Sequence, residues 1–377
     1  MIILFSSMVF FCIYTYAVFP IVMHFLARCR PVLKPSAPSD WPSVSIVIAL
    51  HNEEHNLYKK YNGLKLLDYP QERLEFVLVS DGSTDGTWPA LQQIASADSR
   101  IVAHHYDQAA GKPSALNVAL KKATGKIIVF MDARQSVSAN AVKTLVSYLQ
   151  DPKIGAVSGE LVLGSPDTDG ANDAANVGLY WLYEKWIREN ESRWYSTTGA
   201  TGALYAIRKS DYLPHAADVL LDDFDTPVKL LKQGKRTVFA SEAKVYDVAE
   251  ASSSIEFKRK VRTLAGNFQS FSRQSWLFNL AINPVWWQFL SHKVFRLLVP
   301  YAMVIAFLAS VLGGGLFLNT MLVLQCLFYG LGIISFLTKS RNSVLNFIKV
   351  FLQLNAAAVL GAYRFITAQA SVRWKQS

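Results

Sequence analysis

Cysteine is scarce in this sequence, which has only three, Cys12, Cys29 and Cys326. All three lie in or beside apolar segments, and none has the paired spacing that is typical of a metal site. The sequence therefore predicts neither a disulfide framework nor a cysteine metal centre. Charged residues are also few, at 18% of the chain, and the long segments that lack them are as informative as the charges themselves.

Two segments contain no charged residue and are long enough to cross a membrane. The first runs from Ile2 to Leu26 and exceeds the ~20 residues that span a bilayer core. Its length, together with the lack of a preceding basic residue and of a small-residue cleavage site, argues against a removable signal peptide. We therefore predict a retained transmembrane helix within residues 1–30. The second, from Leu297 to Thr338, predicts two helices within residues 294–338, with a turn near Gly313–Gly315 or Asn319.

The other membrane-related segments are weaker. Val350–Tyr363 is free of charge but short, which favours an interfacial or re-entrant helix over a third C-terminal span in residues 339–377. Residues 276–293 are rich in tryptophan and favour an interfacial amphipathic segment. Arg28, Arg30 and Lys34 follow the first span, so the positive-inside rule predicts a cytoplasmic middle domain in a multi-pass protein of the cell inner membrane. The same rule keeps the C-terminal tail in the cytoplasm.

Acidic residues are outnumbered by basic ones, and the net charge is +10. Nucleic acid is one class of partner that attracts a basic protein. Here the basic residues lie beside the apolar segments or in the cluster Lys258–Arg262, which indicates membrane lipids or phosphate-bearing ligands instead. We therefore expect no nucleic acid partner.

The middle of the chain, residues 43–275, alternates short β-branched runs with helical patterns. Strands are predicted at Val44–Leu50, Phe76–Ser80, Ile101–Tyr106 and Lys126–Met131, and a helix at Ala141–Gln150. This alternation predicts an α/β fold with a mostly parallel sheet, in which ligands bind at the carboxyl ends of the strands. Polar clusters do follow three of these strands, at residues 51–54, 81–86 and 132–134, although each alone could be a plain turn or helix cap.

Several motifs occur in an order that resembles family-2 glycosyltransferases, and the membrane end resembles their processive, cellulose-synthase-like branch. The resemblance implies a nucleotide-sugar-binding domain of the glycosyltransferase A type over residues 43–275. The motifs are VSIVIALHNEEHNL, FVLVSDGSTDGT, GKPSALNVAL, VFMDARQSV, TTGATGALYAIRKSDY, LLDDFDTPVKLLKQGKRTVF and FKRKVRTLAGNFQ, followed by SHKVFRLLVP and RFITAQASVRW.

The resemblance implies which residues hold the nucleoside. Glu53 and Asp81 would accept hydrogen bonds from the base and ribose, because an ionised carboxylate is an acceptor only. The backbone at Ala49, where the family usually has proline, would lie against the base. Lys112 opens a helix, where the helix dipole favours an anion rather than a cation, so an incoming phosphate would explain it. The alternatives are a solvated helix-start carboxylate for Glu53 and an exposed surface lysine for Lys112.

Asp132 corresponds to the first aspartate of the family's Asp-x-Asp signature, which binds a divalent metal, Mg²⁺ or Mn²⁺, that bridges the donor diphosphate. The second aspartate is replaced by Arg134. Either another acid, such as Asp247 or Glu250, completes the metal site, or Arg134 neutralises the phosphate directly.

The implied general base is Asp223, which would take the proton of the acceptor hydroxyl as it attacks the anomeric carbon. Asp222, Asp223 and Asp225 could raise one another's pKa by like-charge repulsion, or they could be a plain acidic helix start. Gly199, Thr201 and Gly202 would let the backbone approach the acceptor, with an ordinary loop-to-helix turn as the alternative.

The family's Gln-x-x-Arg-Trp motif is altered in this chain. Its arginine is Arg262, while Arg259 replaces the glutamine and Thr263 the tryptophan. Arg259 and Arg262 would hold the diphosphate, a task suited to guanidinium groups, and a basic juxtamembrane face is the alternative. Because processive members often stack the acceptor sugar on that tryptophan, its loss weakens the case for polymer synthesis.

Together with the apolar segments, the resemblance implies an inverting membrane enzyme that transfers a sugar from a nucleotide diphosphate sugar, with UDP the expected nucleotide. The acceptor would be a polysaccharide or a lipid-linked sugar. One alternative is a simpler lipid glycosyltransferase that adds one sugar to a polyprenyl phosphate or glycolipid. Another is a catalytically degenerate membrane scaffold, for which the two altered motifs leave room.

Overall fold

The computed structural model describes residues 1–164, 179–247, 253–338 and 342–369. The chain divides into two compact units. The described residues 1–30, 179–194, 253–338 and 342–369 form one, which we call the helical unit. Residues 31–164 and 195–247 form the other, the sheet unit, which contains the polar clusters found at strand ends.

The sheet unit is built on an eight-stranded sheet in the order β3-β2-β1-β4-β7-β6-β8-β5. Strands β1 to β4 are mutually parallel where they pair, β6 pairs parallel with β8, and β7 runs antiparallel to β4 and β6. The strands are β1 (Val44–Leu50), β2 (Leu74–Asp81), β3 (Ile101–Tyr106), β4 (Ile127–Met131), β5 (Ser136–Val137), β6 (Ile154–Leu163), β7 (Leu204–Arg208) and β8 (Arg236–Asp247).

The alternating side chains of the strands divide the core of the sheet unit into two layers. Ile46 and Ile48 of β1 face one layer, and Val47 faces the other. The first layer is closed by α3 (Glu54–Lys65), α4 (Thr87–Ala97) and α6 (Ala141–Tyr148), and the second by α5 (Lys112–Lys122) and α8 (Asp222–Lys232). Both faces of the sheet are therefore covered, as the continuous apolar runs of the strands require.

The predicted fold class is confirmed, and the predicted strands lie within a residue or two of the observed ones. β1 and β3 have the predicted limits, and β2 and β4 contain most of theirs. The antiparallel strand β7 interrupts the parallel order, and the apolar periodicity of the sequence alone does not reveal this direction.

The helical unit contains α1 (Ile2–Ile13) and α2 (Phe19–Arg28), which are joined by a π-helical segment, then α7 (Leu179–Trp194) and α9 (Ser253–Arg273). It continues with α10 (Trp286–Gln288), a π-helical segment at Phe289–Val294, α11 (Phe295–Gly313), α12 (Gly315–Thr338) and α13 (Ser343–Ile366). Four helical segments in the described part of the chain are long and apolar enough to cross a membrane: 2–28, 286–313, 315–338 and 343–366. The predicted turn between the second and third lies at Gly314, where Gly314 and Gly315 both have positive φ.

Two features of the helical unit differ from the sequence prediction. The last helix is continuous from Ser343 to Ile366, so by length and composition it qualifies as a span rather than a short interfacial segment. The charged residues Lys349 and Arg364 lie near its two ends and shortened the charge-free run used for the prediction. Trp286 and Trp287 begin the second candidate span instead of preceding it.

A buried ion-pair cluster joins α7 to the segment that begins at Trp286. His292 Nδ1 lies 2.7 Å from Glu191 Oε1, and its Nε2 lies 3.4 Å from Glu184 Oε2. Arg296 pairs with Glu184 and lies over the rings of Tyr16 and Tyr183. Polar groups in apolar surroundings are stable only when they are paired in this way, so the cluster fixes α7 within the helical unit.

Candidate active site

The loops that follow β1 and β2 are held together by hydrogen bonds. Asn52 Oδ1 accepts from the backbone N–H of Thr84 at 2.8 Å, and the N–H of Gly86 donates to Glu54 Oε2 at 3.0 Å. The N–H of Glu53 donates to Thr87 Oγ1 at 2.8 Å. Because β1 and β2 are parallel, these contacts bring two of the three predicted polar clusters together at one edge of the sheet.

Asp81 is the last residue of β2 and is fully buried. Its two carboxylate oxygens accept hydrogen bonds from the backbone N–H groups of Ala110 at 2.7 Å and Gly111 at 2.8 Å. Gly111 has a φ of +91° and caps α5, whose first residue is Lys112. Asp81 therefore fixes the loop that presents Lys112, and its predicted contact with the nucleoside stays a prediction.

Lys112 connects two of the predicted acidic positions. Its Nζ lies 2.9 Å from Asp132 Oδ1 and 3.5 Å from Asp222 Oδ2. Burial disfavours the charged form, but the carboxylates of Asp132 and Asp222 outweigh that effect and raise the pKa of Lys112. The lysine is thus a permanent cation between β4 and α8, and the exposed-surface alternative is wrong because the side chain is only 21% exposed.

Arg134 stands where the signature would have its second aspartate, and it is engaged by another acid. Its Nη2 lies 2.5 Å from Asp247 Oδ2, which also accepts from Gln135 Nε2 at 3.0 Å. Asp247 is thus brought beside the altered signature, although Arg134 already pairs with it. Glu250, the other acid suggested for this role, lies outside the described residues.

Few side chains of the described residues are placed to bind a divalent cation. Asp132 has a 37% exposed side chain at the end of β4, and the described residues contain no group of three His, Cys, Asp or Glu side chains that could hold a metal. Mg²⁺ is commonly held by one or two carboxylates and the oxygens of substrate phosphates. Asp132 can therefore contribute to such a site together with the ligand's own phosphates.

Glu53 directly precedes α3 and interacts electrostatically with the altered signature. Burial raises the pKa of Glu53, the hydrogen bond from Asn56 Nδ2 at 2.7 Å lowers it, and the Asp132 carboxylate adds a further increase. Arg134 acts in the opposite direction. Glu53 is thus within electrostatic range of both Asp132 and Arg134. Ala49 lies at the half-buried penultimate position of β1 beside Val79, and its backbone contact with the base stays a prediction.

Lys60 is a site residue that sequence reasoning missed. It is 5% exposed, and its Nζ donates to the carbonyl oxygen of Gln135 at 2.9 Å, directly behind the Asp132–Arg134 segment. Burial lowers the pKa of Lys60 to about 8. The sequence feature that could have indicated its burial is its position on the apolar face of α3, three residues after Leu57 and four before Leu64.

The loop before β7 packs against the predicted general base. The N–H of Ala200 donates to the carbonyl oxygen of Asp223 at 2.8 Å. A Cβ atom on Gly202 would lie 2.9 Å from Asp223 Oδ2, whereas a Cβ on Gly199 would meet only atoms at 3.8 Å. Gly202 is therefore the glycine whose missing side chain makes room for the Asp223 carboxylate.

Thr201 anchors this loop to β6. Its N–H donates to Ser158 Oγ at 2.7 Å, and its hydroxyl donates to the carbonyl oxygen of Gly159 at 2.7 Å. The side chain is buried, so its hydroxyl is already used inside the protein. The contact of Thr201 with the acceptor stays a prediction. Such a contact would have to be made by the backbone of the loop, because the hydroxyl is already bonded.

The three acids that start α8 have different surroundings. Asp225 Oδ2 lies 2.7 Å from His215 Nδ1 and 2.6 Å from Lys229 Nζ. Burial favours protonation, but the hydrogen bonds from His215 and Lys229 prevail and lower the pKa of Asp225. The suggestion that these acids raise one another's pKa is therefore wrong for Asp225. Asp222 is buried beside Lys112, and Asp223 is half-buried beside Gly202.

A second set of missed residues clamps α8 to α5. Asn117 Oδ1 accepts from the N–H of His215 at 2.9 Å, and Asn117 Nδ2 donates to the carbonyl oxygen of His215 at 2.8 Å. His215 in turn contacts Asp225 and Thr226 of α8. The helix that begins with Lys112 and the helix that carries Asp223 are thus held in one arrangement.

Arg259 and Arg262 belong to the helical unit rather than the sheet unit. Both are exposed on α9, three residues apart and therefore on one face, with the buried Val261 on another. Their predicted role in holding a diphosphate stays a prediction. The other predicted charged residues, Glu53, Asp81, Lys112, Asp132, Arg134 and Asp223, lie in the sheet unit.

The chain is similar to a known protein family and to several curated proteins. The family model for glycosyl transferase family 2 matches residues 45–213. The probable glycosyltransferase YdaM of Bacillus subtilis is 25% identical over 238 residues, which cover 60% of this chain and 55% of that protein. The β-monoglucosyldiacylglycerol synthase of Synechocystis sp. is 33% identical over 119 residues, covering 31% of this chain and 25% of that enzyme.

A third relative is the UDP-forming cellulose synthase catalytic subunit of Pseudomonas fluorescens, 23% identical over 254 residues, which cover 65% of this chain and 33% of that subunit. The chain thus spans between 25% and 55% of the length of these three relatives. Among solved structures, a mannosyltransferase from Pyrobaculum calidifontis in complex with GDP-Man and Mn²⁺ superposes with a TM-score of 0.77. Its identity is 20%, with 97% of this chain and 99% of that chain covered, so the likeness concerns the fold.

Proposed function

Because the chain carries a family 2 glycosyltransferase domain at residues 45–213, we propose that it is an inverting membrane glycosyltransferase. It moves a sugar from a nucleotide diphosphate sugar, with UDP the expected nucleotide, to a polysaccharide or lipid-linked acceptor. The observation that carries this proposal is the charged cluster of the sheet unit, in which Lys112 joins Asp132 of the donor signature to Asp222, the neighbour of the proposed base Asp223.

The reaction is a single displacement. Asp223 takes the proton of the acceptor hydroxyl as its oxygen attacks the anomeric carbon, and the bond from that carbon to the diphosphate breaks. Such a base contributes about 10²- to 10⁴-fold in rate. Gly202 leaves room for the Asp223 carboxylate, and the contact from Ala200 fixes the first turn of its helix.

Basic groups of the sheet unit stabilise the departing diphosphate. Lys112 supplies a fixed positive charge beside Asp132, and the guanidinium of Arg134 presents further N–H donors suited to phosphate oxygens. Asp81 holds the loop before Lys112 in position. In this proposal Arg259 and Arg262 of α9 add further contacts to the diphosphate.

The family signature and the Mn²⁺ bound by the solved mannosyltransferase support a divalent cation, Mg²⁺ or Mn²⁺, in this enzyme. Asp132 is the residue that would hold the cation, together with oxygens of the donor diphosphate. Bound there, the cation would neutralise negative charge that develops on the leaving group. Isothermal titration of the donor with Mn²⁺ and with EDTA tests this: we expect weaker binding in EDTA, and equal affinity would refute a metal-assisted donor site.

A lipid acceptor that receives one sugar is the second candidate. Thr263 stands where processive relatives have tryptophan, and one relative is named as a glucosyldiacylglycerol synthase. The size of the product after prolonged incubation with donor separates the two, since a single addition gives one discrete lipid product and polymerisation gives a ladder or a high-mass band.

The proposed activity is tested with a panel of radiolabelled nucleotide sugars on membranes that contain the protein. We expect transfer from one donor or a narrow group of donors, with UDP-sugars foremost, into lipid-extractable or polymeric product. Membranes carrying the Asp223→Asn variant serve as the control for other transferases. No transfer from any donor by a folded protein would favour the non-catalytic scaffold and contradict the proposal.

A further inference from the structure

Three helices of the helical unit enclose a groove that the proposed reaction does not use. Its volume is about 460 Å³. Phe257 of α9, Ile333 and Phe336 of α12 and Leu352 of α13 supply its apolar lining. α12 and α13 are both long and apolar enough to cross a membrane, so this part of the protein is expected to meet hydrocarbon.

The floor of the groove depends on a close helix contact. A Cβ atom on Gly332 would overlap Leu352 Cδ1 and would lie 3.3 Å from Ile348 Cγ2, so glycine lets α12 approach α13 at this level. On the other side of α13, a Cβ on Gly361 would lie 2.9 Å from the backbone nitrogen of Ala265 in α9. These two contacts hold α9, α12 and α13 together and define the walls of the groove.

One charged side chain lies among the apolar residues of the lining. Lys349 shares a face of α13 with Leu352, Gln353 and Ala356, at the spacing i, i+3, i+4 and i+7. None of the ion pairs found within the described residues involves Lys349. A lysine within an apolar span is costly, and such residues usually have a polar partner.

The surroundings of Lys349 favour an anion as that partner. The groove-lining residues include no carboxylate. α9, which forms one wall, carries Glu256 and five basic residues, Lys258, Arg259, Lys260, Arg262 and Arg273. Four of the five basic residues lie within five positions of Phe257, so an anion in the groove is attracted by this end of α9 as well as by Lys349. Basic pockets between transmembrane helices are known to bind the phosphate head groups of lipids.

We propose that this groove binds an anionic phospholipid of the bilayer. Its acyl chains lie along Phe257, Ile333, Phe336 and Leu352, and its phosphodiester contacts the Lys349 ammonium. A zwitterionic lipid would enter the same apolar lining, but its positive head group would face Lys349 and the basic residues of α9. The site is therefore selective for head-group charge.

The test uses the full-length protein, purified in detergent and titrated with phosphatidylglycerol or phosphatidylcholine under native mass spectrometry. We expect the wild type to bind phosphatidylglycerol about fivefold more tightly, the preference that one lysine near a lipid phosphate provides. Lys349→Gln should lose that preference. Arg364→Gln is the matched control, because it removes one positive charge from the other end of the same helix and should keep the preference.

A second variant tests the apolar part of the site. Ala356 lines the groove and is exposed, so Ala356→Trp should fill space there and weaken binding of both lipids without changing the unfolding midpoint. Equal affinity of the wild type for the two lipids would overturn the proposal. So would an equal effect of Lys349→Gln and Arg364→Gln, or displacement of phosphatidylglycerol by a polyprenyl phosphate at low concentration, which would assign the groove to the acceptor instead.

Discussion

Lys112 holds together acids that would otherwise repel one another. Substitution by methionine leaves Asp132 and Asp222 without their shared cation. Because hydrogen bonds to charged groups contribute about 1.5–3 kcal/mol, we expect Lys112→Met to lower the free energy of unfolding by about that amount and to weaken donor binding. Denaturant unfolding and donor titration measure the two effects.

The control for Lys112 is Lys143→Met, since Lys143 pairs with Asp68 at the surface of the same unit. Exposed pairs of this kind contribute about 0–1 kcal/mol, so this variant should remain near the wild type in both measurements. If the two variants behaved alike, Lys112 would be an ordinary surface lysine.

Lys60 should give the protein a distinctive pH dependence. Its pKa is about 8 in the folded state and about 10.4 when unfolded, so between these values the unfolded chain binds more protons. The stability of the wild type relative to Lys60→Met should therefore rise as pH increases from 8 to about 10, by up to ~1.4 kcal/mol per pH unit. The exposed neighbour Lys59→Met should show no such change, and a pH-independent difference for Lys60→Met would contradict the burial argument.

At the scale of residues, the polar cluster after a strand drew attention to Asp132, and the resemblance to family-2 glycosyltransferases drew attention to Lys112 and Asp223. The structure places all three in the sheet unit, and their roles stay predictions. Lys60 and His215 were missed because their importance arises from burial. A lysine on an apolar helix face looks like an interruption of the pattern until the carbonyl it contacts is known.

The loop before β7 and the first turn of α8 should respond together to small changes. Gly202→Ala places a methyl group 2.9 Å from Asp223 Oδ2, so the carboxylate must shift. Since a displacement of about 1 Å can reduce a rate about 10²-fold, we expect a large fall in kcat with little change in donor affinity. Steady-state kinetics at saturating donor measure the effect.

The control for the glycine variant is Gly63→Ala, because nothing lies within 4 Å of a Cβ at Gly63 in α3. Alanine is favoured over glycine in a helix by about 0.5–1 kcal/mol, so this variant should be at least as stable and fully active. Unchanged kcat for Gly202→Ala would separate this loop from the catalytic step.

Secondary-structure elements were predictable where one type of residue dominates. The β-branched runs of β1 and β3 gave their exact limits, and the charge-free segments gave the first three candidate spans. α13 was underestimated because Lys349 and Arg364 interrupt its apolar run, although both are compatible with a helix of that length. The predicted domain boundary at residue 275 assigned α7 and α9 to the catalytic domain, whereas both helices pack in the helical unit. The sequence could not show this, because the residues of a helix do not indicate which distant helices it packs against.

At the scale of the whole molecule, the positive-inside rule predicts an orientation in the membrane from the basic residues after the first span. Cys29 is exposed directly after α2 and should lie on the cytoplasmic side with Arg28 and Arg30. In a variant with Cys29 as its sole cysteine, a membrane-impermeant maleimide should label inverted vesicles and leave right-side-out vesicles unlabelled. The reverse result would place the catalytic unit outside the cell.

A second single-cysteine variant shows whether the maleimide can reach a cysteine on the opposite side of the membrane. Leu316 is 87% exposed at the start of α12, beside the turn that the same orientation places outside. Leu316→Cys, made without the native cysteines, should be labelled in right-side-out vesicles. Labelling of both positions from the same side would contradict the proposed arrangement of the first three spans.

Asp223, as the group that takes the acceptor proton, is the residue on which the proposed reaction depends most. The decisive measurement compares donor binding and sugar transfer by the wild type, Asp223→Asn and Asp225→Asn in one membrane preparation. We predict that Asp223→Asn binds donor normally and loses about 10²- to 10⁴-fold in transfer, while Asp225→Asn, which breaks the His215 and Lys229 contacts, loses mainly stability. Transfer by Asp223→Asn at a rate close to that of the wild type would contradict the account.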